Sequence, residues 1–233
     1  MKHLLWFLVA LFAVYMASTG YKASRHAVAK SIPLKKMDAP SSPTLYDSLN
    51  LKQTGLSESV FGYALRGWRK TDTTKTILTI ADLSQPSSQK RLYVIDLQRR
   101  KLLFNTYVAH GRNSGDLVPD RFSNVPSSLQ SSLGFYQTLN TYMGRHGLSL
   151  QLKGLEKGFN DNVYNRNIVL HGAPYVCEDT IRIRGRLGCS EGCPAVPYAD
   201  SKGIIKVVKG GSCLFVYAPN PNYLTKSAYL TNP

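Results

Sequence analysis

Of the residue types in this chain, the ones with the most to say about chemistry are a cysteine and a histidine. Cys193 closes the run Ser190-Glu191-Gly192-Cys193, and His171, followed by Gly172, lies twenty-two residues upstream. A free thiol has a pKa of ~8.5, so a cysteine nucleophile near neutral pH needs a base beside it. His171 is the candidate, and a histidine so placed is expected to pull the Cys193 pKa down. Gly192 would let the backbone turn tightly, so that N–H groups point at a developing oxyanion, and Ser190 would hydrogen-bond within the site.

The same residues admit other chemistries. In an oxidising compartment Cys177, Cys189, Cys193 and Cys213 have the number for two disulfides, and a Cys177–Cys189 pair would close the segment between His171 and Cys193. His171 with Cys177, Cys189 and Cys193 has the composition of a Cys3His zinc site, although the chain lacks the Cys-x2-Cys knuckle usual there. A buried structural thiol and a satisfied core histidine are the plain alternatives. His110 and His146 each stand next to a glycine in loop-like sequence and are read as structural or exposed rather than lining a cleft.

The elements that must position these residues are mostly strands. Residues 76–81, 91–96 and 102–108 are short, rich in Ile, Leu, Val and Tyr, and separated by turn residues, the pattern of a β-meander. Further strands are expected over 134–139, 148–153, 167–171 and 212–217, with one short helix over 200–209. Before them, Leu45, Leu49, Leu56, Val60, Phe61, Ala64, Leu65 and Trp68 recur at helical spacing, broken at Gly55, with Ser57 as an N-cap. The reading is one mainly β domain over 44–233 with short flanking helices.

Residues 4–17 are uncharged and mostly apolar, behind the basic start Met1-Lys2-His3. At ~1.5 Å per residue such a helix spans about 21 Å, short of the ~30 Å hydrocarbon core, so residues 1–19 are read as a signal peptide, an uncleaved anchor being the alternative. Residues 20–43, basic and Pro/Ser-rich, are read as a flexible tether. Both readings export the chain to the periplasm or cell envelope. The 29 Lys and Arg against 14 Asp and Glu, a net charge of +15, favour an anionic partner such as a wall polymer or membrane surface. No nucleic-acid-binding motif is present, and export argues against nucleic acid as the partner.

Around His171 and Ser190-Glu191-Gly192-Cys193 the sequence resembles the L,D-transpeptidases of bacterial cell-wall synthesis, the YkuD-like cysteine transpeptidases, whose pattern is a His followed at a distance by Ser/Thr-His-Gly-Cys. The murein L,D-transpeptidase catalytic-domain branch is the closer resemblance. It is carried by VAHGRNSG (108–115), FSN (122–124), SSLGFYQT (131–138), GLSLQLKGLEKGFNDN (147–162) and GCPAV (192–196), in that order. Two positions depart from the wider pattern: its His before Gly-Cys is Glu191 here, and its Asn or Arg two residues after the Cys is Ala195.

The resemblance implies an L,D-transpeptidase-like β-sandwich and a cysteine acyltransferase acting on peptidoglycan stem peptides, with Cys193, His171, Ser190 and Gly192 as catalytic residues. It implies neither a metal nor an organic cofactor. An L,D-carboxypeptidase or other murein peptide hydrolase, and a non-catalytic wall-binding module, are the alternatives. Arg182, Arg184 and Arg186 alternate, which on an extended segment sets all three on one face. Arg184 and Arg186 there would hold stem carboxylates, unless the face is merely solvated, with Gly172 and Tyr175 as further substrate contacts.

Overall fold

A computed structural model describes residues 43–73 and 75–231. The signal peptide expected over 1–19, and all but the last residue of the tether expected over 20–43, lie outside these residues.

The chain enters through α1 (Pro43–Ser48), a 3-10 turn (Leu51–Thr54) and α2 (Glu58–Arg69). Ser57 caps α2 as expected, its hydroxyl accepting from the Val60 N–H at 3.3 Å, and Gly55 is the break, with φ +86°. Val60, Phe61, Ala64 and Leu65 are buried on one face of α2, which packs against the first and last strands of the sheet. Gly67 is required there: a Cβ would lie 2.0 Å from the Phe135 ring.

Eight strands follow, interrupted by two helices and followed by a third: β1 (Ile77–Asp82), β2 (Leu92–Asp96), β3 (Lys101–Thr106), β4 (Gly134–Gly144), β5 (Gly147–Gly154), β6 (Val169–Ala173), α3 (Glu178–Arg184), β7 (Ala195–Pro197), α4 (Tyr198–Val208), β8 (Cys213–Tyr217) and α5 (Pro221–Lys226). They form one sheet in the order β3-β2-β1-β8-β4-β5-β6-β7, antiparallel except for β1–β8 and β6–β7. All five residues of β2, of β6 and of β8 are buried, so these strands are covered on both faces. The expected mainly β fold with short helices is what forms.

The two edges of the sheet meet. Past β3 the chain runs on so that Ala109 bridges Ala195 of β7 and Gly111 bridges Ser190, curling the sheet toward a barrel. One buried pair braces this seam. Arg91, fully buried, donates through Nε and Nη2 to the Val108 carbonyl (3.1 and 3.0 Å) and through Nη2 to His110 Nδ1 (2.8 Å). A guanidinium only donates, so His110 Nδ1 accepts and the proton sits on Nε2, which donates to the Gly115 carbonyl at 3.2 Å. His110 is structural, as the sequence reading has it.

Burial, reinforced by the Arg91 charge, lowers the His110 pKa to about 4. Between that value and the ordinary ~6.5 the unfolded chain binds a proton that the folded chain refuses, so stability is present above pH 6.5 and is lost as pH falls toward 4. The expected loss is on the order of 3 kcal/mol. Melting temperature followed from pH 7 to pH 4 should show it, and the slope should flatten in His110→Gln; equal slopes would refute the assignment.

One local expectation is overturned. Residues 178–184 are helix α3, not an extended segment: Glu178 and Asp179 occupy its first turn and Gly185, at φ +73°, ends it. At ~100° per residue, Arg182 and Arg184 point to opposite sides of a helix, so the three arginines share no face.

Candidate active site

The parallel pairing of β6 with β7 sets the geometry. Its register places His171 opposite Ala195, so Cys193, two residues before Ala195, comes level with Val169. The contact is direct: the Val169 N–H donates to Cys193 Sγ at 3.4 Å, and Sγ lies 3.8 Å from the Asn167 carbonyl. His171 is central in β6 rather than at its end, buried, and paired on its other side with Ser149 of β5.

His171 and Cys193 line one cavity of about 510 Å³, together with Tyr175, Ser190, Glu191, His146 and the three arginines Arg112, Arg145 and Arg166. His171 Nδ1 lies 2.9 Å from the Gly172 carbonyl. A carbonyl only accepts, so Nδ1 carries the proton and Nε2 keeps the lone pair a base requires. Burial is the main reason the His171 pKa falls below the ordinary imidazole value, with His146 and Arg145 adding to the shift.

The Cys193 thiol moves the other way. Burial raises its pKa and the Glu191 carboxylate adds to the rise, while the Val169 N–H, Arg166 and Arg145 work against it. This reverses the expectation that His171 depresses it: a neutral imidazole lends no positive charge, and desolvation penalises the thiolate. The resting pair is a neutral thiol and a neutral imidazole.

The turn before Cys193 is locked from within. Ser190 Oγ accepts from the Gly192 N–H at 3.1 Å and donates to the Cys193 carbonyl at 2.7 Å. Gly192 sits at φ +124°, where a Cβ would also meet the Gln130 carbonyl at 2.7 Å, so glycine is required for both reasons. Its N–H donates to Ser190 Oγ. From behind, the Ser190 N–H donates to the His110 carbonyl at 2.9 Å, which ties the turn to the Arg91–His110 brace.

The other expected contacts divide. Tyr175 lines the cavity; Arg184, Arg186 and Gly172 do not. Arg184 is exposed on α3, and Arg186 pairs with Asp116 and donates to the Leu187 carbonyl at 2.9 Å. Gly172 backs onto α4, where a Cβ would lie 2.6 Å from the Tyr198 ring. All four cysteines are free thiols: Cys177 Sγ lies 3.2 Å from Thr180 Oγ1 at the start of α3, and Arg186 donates to Cys189 Sγ at 3.5 Å. Among the described residues no group of three or more His, Cys, Asp or Glu is placed to hold a metal ion.

Several wall residues escaped the sequence reading. Arg112 follows His110-Gly111 in a segment the seam carries to Ser190, Arg145 and His146 are the turn between β4 and β5, and Arg166 precedes β6. His146, read as structural or exposed, faces the cleft. Glu191 accepts from Arg112 Nη2 at 2.6 Å and pairs with Arg145 Nη2 at 3.4 Å, so the residue that replaces the pattern's histidine bridges two elements. Arg112 and Arg145 each follow a glycine and Arg166 stands between two asparagines, and nothing local distinguishes such a cleft arginine from a surface one.

Compared with known families, the chain matches the L,D-transpeptidase catalytic domain over residues 52–217, well over half its length. No curated protein matches. Among solved structures it is similar to an L,D-transpeptidase from Mycobacterium smegmatis (13% identity, 61% of this chain and 59% of that one, TM-score 0.39). Another is an L,D-transpeptidase from Stackebrandtia nassauensis (14%, 76% and 76%, 0.38), and a third is L,D-transpeptidase 3 from Mycobacterium tuberculosis in complex with a faropenem-derived adduct (13%, 61% and 60%, 0.38). The chain spans about three fifths of the length of the first and third of these.

Proposed function

The chain belongs to the L,D-transpeptidase catalytic domain family, and on that premise we propose that it is an enzyme that acylates Cys193 with a peptidoglycan tetrapeptide stem and passes the acyl group to the amine of a second stem. The observation that supports the reading is that Cys193 and His171 line the same cavity, with His171 in the tautomer whose Nε2 is left to accept.

As substrate binds, His171 Nε2 takes the thiol proton while Sγ attacks the carbonyl of the third stem residue, a diaminopimelate in most diderm walls. Because both partners rest neutral, the proton moves with the attack rather than before it, which is general-base catalysis. The tetrahedral intermediate collapses to a thioester; the C–N bond to the terminal D-alanine breaks, and that nitrogen receives the proton from His171. The side-chain amine of a second stem then attacks the thioester, His171 takes its proton, and the thiolate leaves and is reprotonated. Water in place of the amine gives an L,D-carboxypeptidase. The arginine-lined wall suits substrates that carry free carboxylates.

Export to the periplasm or cell envelope belongs to the same proposal. It rests on the apolar segment 4–17 behind a basic start, and the +15 charge would hold the domain near an anionic wall or membrane surface.

Incubation of the protein with purified disaccharide-tetrapeptide tests the reading by product mass. A cross-linked dimer lacking one D-alanine is the expected product; a tripeptide alone would assign the hydrolase instead. Recovery of unchanged tetrapeptide, with no acyl-enzyme by whole-protein mass, would refute both.

A further inference from the structure

The β4–β5 hairpin turns over two residues, Arg145 and His146, between Gly144 and Gly147. Its outer part stands clear of the protein, with Met143 77% exposed. In the turn itself Arg145 is exposed and His146 half-buried. The His146 ring stacks on the His171 ring, centroids 4.2 Å apart and planes inclined by 19°. Arg145 Nε donates to His146 Nε2 at 3.0 Å, and the same guanidinium pairs through Nη2 with Glu191 at 3.4 Å. Glu191 is two residues from Cys193 and is also gripped by Arg112. A continuous chain of contacts therefore leads from the nucleophile's turn, through Glu191, Arg145 and His146, to the base.

The donors fix the roles of the ring atoms in the stack. Arg145 can only donate, so His146 Nε2 accepts. His171 carries its proton on Nδ1 for the reason given above. The two rings lie face to face, and a proton on His171 would place a cation against the His146 ring and near the Arg145 guanidinium. The other groups facing His171 are Ser149 from β5, with Cys193, Glu191 and Arg166 around the cavity. The Gly172 carbonyl holds one ring atom of His171, which leaves the ring free to rock about that bond, and a second ring packed flat on its face removes that freedom.

We propose that His146 is a positioning residue for His171, its stacked ring fixing the plane of the base and screening it from water. The inference rests on reading His171 as the proton carrier. Its consequence is that the hairpin tip belongs to the working site and that the chain 134–154 is a functional arm as well as a pair of strands. What matters is a flat ring at position 146, not a second titrating group.

The test compares wild type, His146→Ala and His146→Phe by NMR titration of the His171 imidazole in the free protein, by D-alanine release from disaccharide-tetrapeptide against pH, and by melting temperature. In His146→Ala the His171 ring gains water, so its pKa rises toward the ordinary imidazole value, the acid limb of the rate moves to higher pH, and the neutral-pH rate falls on the order of tenfold. His146→Phe keeps the flat contact and should recover most of both effects. Unchanged His171 titration in folded His146→Ala overturns the inference, as does a phenylalanine variant as impaired as the alanine one. A wild type that releases no D-alanine, yet shows the titration shift on His146→Ala, would overturn the transpeptidase reading and leave the positioning of His171 by His146 supported.

Discussion

Cys193→Ala should melt close to the wild-type temperature and release no D-alanine above background. The sulfur makes two weak contacts, 3.4 Å from the Val169 N–H and 3.8 Å from the Asn167 carbonyl, and the turn that carries it is held by Ser190 and the Gly192 backbone instead. Its removal should cost about 1 kcal/mol or less of stability. Catalysis depends on it entirely, because without Sγ there is no thioester to split one difficult acyl transfer into two steps, and losses on the order of 10⁴-fold or more are usual for a missing nucleophile. Cys193→Ser should do little better, since a neutral imidazole is a weak base toward a hydroxyl. The checks are D-alanine release and a whole-protein mass after carbapenem treatment, where the family resemblance expects an adduct on wild type and none on either variant. An adduct on Cys193→Ala would move the nucleophile to another thiol.

His171 gives the second large effect. His171→Ala should lose on the order of 10²-fold or more in acylation, the usual worth of a positioned proton carrier. It should also lose some stability. The ring is buried in the middle of β6, and its removal leaves the Gly172 carbonyl without the imidazole donor at a cost of ~1 to 3 kcal/mol. That double effect would leave a structural histidine and a catalytic one hard to separate, so His171→Gln is the informative companion: its amide can donate to the carbonyl, yet it cannot carry a proton. Melting near wild type with the rate still lost is the expected result. Because burial depresses the His171 pKa, the acid limb of the wild-type rate should lie below the ordinary imidazole value. A folded His171→Gln protein with full turnover would end the mechanism.

Much of this was legible before any coordinates, because it depends on residues near one another in the chain. Ser57 before an apolar helical stripe is an N-cap wherever the helix packs, and the Ile/Leu/Val/Tyr runs between turn residues are strands in most tertiary settings. At 192 the tight turn beside the thiol is local, whereas the close approach of the Gln130 carbonyl is not. The misread element was local as well. Arg182, Arg184 and Arg186 alternate as they would along extended chain, while acidic residues in the first turn of Glu178–Arg184 and Gly185 just past its end are the helix signals that outweigh the alternation.

By itself, then, the sequence determined the mainly β architecture, the helix caps, the pairing of a histidine with a Gly-Cys turn, and through five ordered segments the family. Tertiary structure decided what surrounds that pair and in which protonation state it rests. The parallel register of His171 with Ala195 joins residues more than twenty apart. Sheet closure at Ala109 and Gly111 brings Arg112 to Glu191, and the β4–β5 turn lays His146 on His171. None of these has a signature within any one segment, because each depends on how strands align over distances no local pattern spans. The pKa directions depend on burial for the same reason. Side-chain type sets the ordinary value, but the water that packing removes raises the Cys193 thiol and lowers the His171 imidazole, leaving both neutral until a substrate arrives.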